Sequence, residues 1–182
     1  MVFWHHGFIC NGIPILMSDE QITIRSYEQQ WPTQFNLEKK RLLPVIKPWL
    51  VGTVEHVGST AVFGLSAKPV IDIMVGIKSL GDSKEVINAL VSNGYCYSSY
   101  KSDFMYWFCK PSAKIRTHHL HCIPFNSALW HQRIKFRDAL RTSPEIASEY
   151  QALKIRLAKQ YPRDREKYTQ GKWPFIKKVL AL

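Results

Sequence analysis

Apolar and polar residues follow two different periodicities along this chain. Apolar runs of strand length occur at 22–27, 52–58, 70–77, 95–100, 104–110 and 115–123. The run VIDIMVGI at 70–77 is apolar at nearly every position, which predicts a central strand buried on both faces. The runs at 95–100 and 104–110 are close enough in sequence to predict a hairpin.

Helical periodicity appears between these strands and fills the chain after residue 124. Apolar residues spaced by three or four occur at 32–47, 82–93, 128–141, 144–160 and 165–182. Pro44 is expected to end or kink the first helix. The whole pattern predicts an α+β fold, with a mixed β-sheet flanked by helices and a helical, basic C-terminal part.

Composition is typical of a globular protein but strongly basic. The 182 residues suffice for one domain with a substantial core. The formal net charge is +11, and residues 131–182 contribute +8 of it, from 13 Lys or Arg minus 5 Asp or Glu. A positive field attracts phosphates, nucleotides or RNA, although solvated helix faces are also rich in Lys and Arg. Arg133, Arg137 and Arg141 form a ridge that either contacts such an anion or pairs with acids of neighbouring helices.

The sequence contains no segment typical of membrane insertion. No apolar run approaches the roughly 20 residues that span a bilayer. The four cysteines show no close pairing, so we expect reduced thiols in a cytoplasmic protein. The opening apolar stretch is interrupted by polar residues, and the patterned part begins after Met17. We therefore expect residues 1–16 to be an N-terminal extension and residues 17–182 to form a single domain.

The stretch EHVGSTAVFGLSAKPVIDI carries the clearest candidate chemistry. Gly58-Ser59 at the end of a strand lets a phosphate approach the backbone, because glycine has no side chain. A short helix at Thr60–Leu65 would add free N–H groups for the same phosphate. Asp72 on the next strand is a candidate ligand for a divalent ion, and Lys68 is a candidate to neutralise phosphate charge. The alternative is that Gly58 only forms a turn and Asp72 is a structural acid.

Few other groups in the sequence are candidates to complete a metal site. Glu55, just before the Gly58 loop, is the nearest other acid. His119 and His121 alternate on one face of a predicted strand, and with Asp72 they predict a carboxylate–histidine site suited to Zn, Mn or Fe. The same histidines are also candidates for a base, a phosphate hydrogen bond or an ordinary buried position. Arg116 is a candidate phosphate ligand, because a guanidinium forks onto phosphate oxygens.

Several separated blocks of the sequence resemble the GrpB family. They are EHVGSTAV, GLSAKPVIDI, HLHCIP, FRDALRTSPEIASEYQALK and YTQGKWPFI, and the resemblance covers residues 20–178. It implies a nucleotidyltransferase-like sheet flanked by helices, of the kind found in proteins related to polymerase β. Related segments are fused to dephospho-CoA kinase, for which an accessory folding role is suggested. Phe63 stands where the family usually has Pro, and we expect it to reshape the loop over the pocket.

The resemblance leaves two main functions open. Active nucleotidyltransferases carry two acids on this strand, whereas here the position two after Asp72 is Met74, a poor ligand for Mg. One interpretation is a nucleotidyl or phosphoryl transferase that uses Mg, Mn or Zn and an unidentified acceptor. The other is a catalytically reduced module that binds a nucleotide or a coenzyme A precursor and assists a partner protein. RNA binding through the basic helices is a third interpretation, which rests on charge alone.

Overall fold

The computed structural model describes residues 8–10, 13–14 and 20–182, with side chains from residue 20 onward. The strands are β1 (Phe8–Cys10), β2 (Ile13–Pro14), β3 (Leu50–Val57), β4 (Ile71–Ile77), β5 (Cys96–Ser98), β6 (Tyr106–Pro111) and β7 (Arg116–Pro124). The α-helices are α1 (Trp31–Ile46), α2 (Val86–Ser92), α3 (Ala128–Thr142), α4 (Pro144–Gln160), α5 (Arg165–Gln170) and α6 (Trp173–Leu180). Apart from β1 and β2, the predicted extension at 1–16 lies outside the described residues.

The strands form one mixed sheet in the order β2-β1-β5-β6-β7-β4-β3. All neighbours are antiparallel except β4 and β7, which run parallel at the centre. Five of the strands come from residues 50–124 and carry the predicted hairpin, β5–β6. The predicted α+β fold, a mixed sheet flanked by helices, is confirmed.

Helices cover both faces of the sheet and divide the core between them. On one face, Trp31 and Leu42 of α1 and Leu90 of α2 pack against strand residues such as Ile73 and Phe108. On the other face, Trp130 of α3 packs with residues that include Met74 and Trp107. The helices α4 and α6 then pack against α3. This second face, beneath α3, α4 and α6, holds the candidate site.

The register of β4 against β7 decides which polar residues meet. Asp72 lies opposite His119, and Met74 lies opposite His121. Because side chains alternate along a strand, all four residues project from the same face, whereas their neighbours project from the other. The sequence-based expectation that the two histidines share a face with Asp72 is therefore correct.

Two predicted elements differ from the structure near the chain ends. Residues 22–27 do not form a strand, because the backbone of Arg25 bonds only to Ala67 in a single bridge and Ile22 bonds to the carbonyl of Pro162. The predicted helix at 165–182 is divided into α5 and α6. Pro174 lies in the first turn of α6, a position that proline favours and that starts a new helix rather than continuing an old one.

Three further local expectations also need correction. The segment Thr60–Leu65 is not a helix, since only a 3₁₀ turn at Ser59–Ala61 forms there. Of the two alternatives expected at Pro44, the end of the helix is wrong, because α1 continues to Ile46 with Pro44 inside it. Cys109 and Cys122 are buried free thiols as expected, whereas Cys96 is disulfide-bonded, contrary to the prediction of reduced thiols. Among the described residues, none of the helices has both the length and the apolar character of a membrane span.

Candidate functional site

Asp72, His119 and His121 form one cluster at the centre of the sheet. The Nδ1–H group of His119 donates a hydrogen bond of 3.0 Å to Asp72 Oδ1, and His121 Nε2 lies 3.6 Å from the same oxygen. One ligand atom from each residue lies within 4.8 Å of the other two. Among the described residues, the buried atoms His119 Nε2, His121 Nδ1 and His121 Nε2 have no hydrogen-bond partner. Unsatisfied imidazole nitrogens around a carboxylate fit a metal ion as the missing partner.

The protonation states of this cluster are also those that a metal site requires. Burial alone would raise the pKa of Asp72, but the neighbouring imidazoles hold it well below its usual range. Burial and the positive charge of Arg133 lower the pKa of His121 to about 3, and burial lowers the pKa of His119. At neutral pH the cluster therefore offers an ionised carboxylate and neutral imidazoles.

Gly58 makes a close contact that the sequence alone did not predict. Its φ of 72° and ψ of −173° lie in a region used almost only by glycine, and a Cβ there would lie 2.4 Å from Asp72 Oδ2. The Asp72 carboxylate thus lies against the backbone of this glycine. Gly58 and Ser59 nevertheless line the cavity in front of the cluster.

Ser59 and Thr60 are separated by the 3₁₀ turn into different environments. The hydroxyl of Ser59 accepts a hydrogen bond of 3.0 Å from Lys154 Nζ. Thr60 is buried, and its hydroxyl bonds to His56 Nε2 at 3.0 Å and donates to the Val70 carbonyl at 3.3 Å. Thr60 therefore holds β3 to the start of β4, and the turn does not provide the row of helical N–H groups that was expected for phosphate.

A cavity of about 540 Å³ opens in front of the cluster, between the sheet and the C-terminal helices. Its lining is strongly cationic, with Lys68, Lys101, Arg116, Arg133, Lys154, Arg165 and Lys172. The carboxylates among its described lining residues are Asp72 and Glu166. Predicted candidates Lys68 and Arg116 are thus brought to the cluster. Phe63 does not line the cavity, since it is 85% exposed and its ring contacts Tyr27.

Five of these cations lack an acidic partner within the described chain: Lys68, Lys101, Arg133, Lys154 and Lys172. Burial, followed by the charges of Lys172 and Arg165, lowers the pKa of Lys68 to about 8. Burial likewise lowers the pKa of Lys172 to about 8. The Nε atom of Arg133 is buried and has no hydrogen-bond partner in the part of the chain that the structure describes. Uncompensated positive charge at a cavity wall favours an anionic ligand.

Sequence reasoning missed most of these cations as site residues. Arg133 was recognised only as part of the predicted ridge, and Lys154 and Lys172 were not singled out. Lys154 did carry a signal, because its spacing from Tyr150 and Leu157 places it on the buried face of α4. A lysine on such a face is rare unless it has a specific partner.

Glu55 is not a member of the metal cluster, contrary to expectation. Its carboxylate accepts a hydrogen bond of 2.6 Å from Arg137 Nη1, and Arg137 also pairs with Asp138. The predicted ridge is therefore not a single surface. Arg133 faces the cavity, Arg137 is buried on Glu55, and Arg141 donates to the carbonyl of Ala61.

Comparisons with known proteins agree with this fold. A family model described as GrpB protein matches residues 21–182. This chain belongs to the GrpB family. Glutamate-rich protein GrpB from Alkalihalophilus pseudofirmus is 34% identical over 165 residues, covering 88% of this chain and 94% of that protein. A UPF0157 protein from Deinococcus radiodurans is 35% identical over 175 residues, covering 96% of this chain and 89% of that protein.

A solved structure of the family has the same architecture. The crystal structure of conserved protein GrpB from Enterococcus faecalis matches with a TM-score of 0.78 and 32% sequence identity. The match covers 87% of this chain and 95% of that one. The family resemblance drawn from the sequence blocks is confirmed, and the mixed sheet is consistent with a nucleotidyltransferase-like fold.

Proposed function

We propose that the cavity binds a nucleotide or another phosphate-bearing small molecule together with a divalent metal ion. The observation that carries this proposal is the position of Lys68, Arg133 and Lys172, without acidic partners in the described chain, around the Asp72 cluster. A polyphosphate chain supplies several negative charges in a row, which matches this arrangement better than a single carboxylate ligand would. The proposed reaction is transfer of a nucleotidyl or phosphoryl group to an acceptor.

Asp72, His119 and His121 would hold the metal ion. Their mixed oxygen and nitrogen ligands suit Mn or Zn better than Mg, which prefers oxygen ligands. When bound, such an ion would neutralise phosphate charge and polarise the reacting phosphoryl group. The residues of this chain would do the rest: Arg133 and Lys68 would bind phosphate oxygens, and Arg116 would hold a further part of the ligand.

A second candidate function is binding without transfer, and Met74 favours it. Met74 is fully buried two residues after Asp72 and provides no oxygen ligand. A site with one carboxylate lacks the second acid that a two-metal transferase uses. In this reading the chain holds a nucleotide or a coenzyme A precursor and assists a partner protein, in the way suggested for segments fused to dephospho-CoA kinase.

Calorimetric titration separates these readings from each other. Each nucleoside triphosphate and several coenzyme A precursors would be titrated with Mn, Zn, Mg or chelator, and diphosphate or phosphate release would be followed in parallel. We expect metal-dependent binding that Arg133→Met weakens and that Lys159→Met, an exposed lysine of α4, leaves unchanged. Release of product supports transfer, whereas binding without release supports the accessory module. The absence of binding by every ligand, with or without metal, would overturn the proposal.

A further inference from the structure

Ser59 and Lys154 form a contact whose chemistry goes beyond binding phosphate. Lys154 Nζ lies 3.0 Å from Ser59 Oγ and also donates to the carbonyl oxygen of Ser66. Lys154 is only 2% exposed, on α4, whereas Ser59 lines the cavity directly after the turn at Gly58. A buried amine is thus fixed behind a hydroxyl that faces the ligand space.

The surroundings of Lys154 favour its neutral form. No carboxylate within the described chain pairs with it, and Tyr150 on its own helix lies beneath its amine, with the ring centroid 5.0 Å away. The charged group that acts on it is Lys172, at the start of α6. Burial first, and then Lys172, lower the pKa of Lys154 to about 7. A neutral amine has a lone pair that accepts the proton of a serine hydroxyl.

We infer that Ser59 is a nucleophile and that Lys154 is its general base. The inference rests on the proposed function, because the cavity must bring a phosphoanhydride to Ser59. Ser59 Oγ then forms a bond to phosphorus while its proton passes to Lys154 Nζ. The bond from phosphorus to the leaving oxygen breaks, and that oxygen departs with the electron pair as diphosphate or as a nucleoside diphosphate. The product is a phosphoserine or nucleotidyl-serine ester, whose group an acceptor would later remove.

The position of Ser59 suits a nucleophile better than a residue that only links the loop to Lys154. The Ser66 carbonyl already links Lys154 to the loop before β4, so the hydroxyl contact is not needed to fix the helix. A serine that follows a strand through a constrained turn presents its hydroxyl outward, which is the geometry of other activated serines. Serine paired with lysine is itself a known catalytic combination.

A fluorophosphonate reagent tests the inference without requiring a nucleotide site. It transfers its phosphonyl group to an activated serine and releases fluoride, and peptide mass spectrometry locates the modified residue. We expect modification at Ser59 in the wild-type chain, none at this position in Ser59→Ala, and a loss of about a hundredfold in rate in Lys154→Met. Lys159→Met, on the exposed side of the same helix, should react like the wild type.

Two further readouts separate a base from a structural lysine. The rate should rise with pH and level off above about 7, where Lys154 is neutral. Lys154→Arg keeps the positive charge and the length of the side chain, so it can still donate a hydrogen bond to the Ser59 loop. Because a guanidinium stays protonated, it cannot act as a base. Rescue of the rate by arginine, or a Ser59 modification that Lys154→Met leaves intact, would overturn the inference. Folding of each variant is checked by thermal unfolding.

The same reagent set distinguishes this inference from the proposed function. Parallel incubation with triphosphates labelled at the α or γ phosphorus would show which group reaches Ser59. If the fluorophosphonate modifies Ser59 but no triphosphate labels it, the result supports Ser59 as a nucleophile with Lys154 as its base. It counts against a nucleotide as the ligand of the cavity. If the protein binds a nucleotide with metal but Ser59 reacts with neither reagent, the proposed function stands. The inference that Ser59 is a nucleophile is then overturned.

Discussion

The carboxylate of Asp72 lies directly against the backbone of Gly58, so that a Cβ on this glycine would come within 2.4 Å of Asp72 Oδ2. The contact explains why a glycine follows β3 at this point. It also means that the loop and the candidate metal ligand form one unit. Any side chain at position 58 would displace the carboxylate from the two histidines.

Gly58→Ala is therefore expected to damage both stability and metal binding. Backbone strain and overpacking together should lower the free energy of unfolding by about 2–5 kcal/mol. Gly64→Ala is the matched control, because Gly64 has a φ of 76° but no atom of the described residues lies within 4 Å of a new Cβ. It should cost only about 1–2 kcal/mol and leave metal affinity unchanged. Denaturant unfolding and metal titration of both variants check this, and equal effects of the two substitutions would contradict it.

Glu55→Gln should destabilise the fold without weakening the binding of the metal ion. Its ion pair with Arg137 is partly buried, and the amide of Gln still accepts a hydrogen bond but carries no charge, so the weaker bond costs about 1 kcal/mol. Burial would raise the pKa of Glu55, but Arg137 lowers it overall, so this stabilisation is present above the unfolded value of 4.5 and is lost as pH falls below it. Unfolding curves from pH 3 to pH 7 measure the effect. A large loss of metal affinity in Glu55→Gln would instead show that Glu55 is a metal ligand.

Affinity for a polyphosphate should fall as pH rises above about 8. Lys68 and Lys172 have pKa values of about 8 in the free protein, and a bound phosphate would raise both. Binding therefore takes up protons, and each lysine can weaken binding by up to about tenfold per pH unit above its free value. Calorimetry from pH 7 to pH 10 tests this, with Lys68→Met expected to give a shallower dependence. Affinity that is constant across this range would contradict the role of the lysines.

The stability of the free protein, in contrast to its affinity for a polyphosphate, should rise with pH. The folded pKa of Lys154, about 7, lies below its ordinary value of 10.5. Between these values the unfolded chain binds more protons than the folded one, so stability rises as pH increases from about 7 to 10.5. Lys154→Met should remove part of this rise, which thermal unfolding at several pH values measures. An identical pH dependence in the wild type and in Lys154→Met would show that the lysine is not perturbed.

The central strands and the Asp72 cluster were predictable because each depends on a short stretch of sequence. The apolar run around Asp72 indicates a buried strand, and alternation along β7 places His119 and His121 on one face. The helix boundaries near Ser143 follow from its side-chain cap, which accepts from the Ile146 amide. Local pattern and local chemistry suffice for such features.

The cationic lining of the cavity and the ion pair of Glu55 with Arg137 could not be predicted in the same way. Arg137 reaches Glu55 across 82 positions of sequence, and Lys154 reaches Ser59 across 95. These contacts depend on how α3 and α4 pack on the sheet, which periodicity along one helix does not specify. The Gly58 motif likewise indicates a close approach, but the approaching group is known only from the fold.

A titration of Mn with a nucleoside triphosphate into the wild-type chain and into Asp72→Asn tests most directly whether Asp72 holds a metal ion in the ligand site. The substitution keeps the shape of the side chain and removes its charge, and thermal unfolding confirms that the variant is folded. We predict that the wild type binds metal and nucleotide together and that Asp72→Asn weakens this binding at least tenfold, since even outer partners of a metal are worth about 10–100-fold. Equal affinity in a folded Asp72→Asn variant would show that Asp72 is a structural acid and that the ligand site does not depend on it.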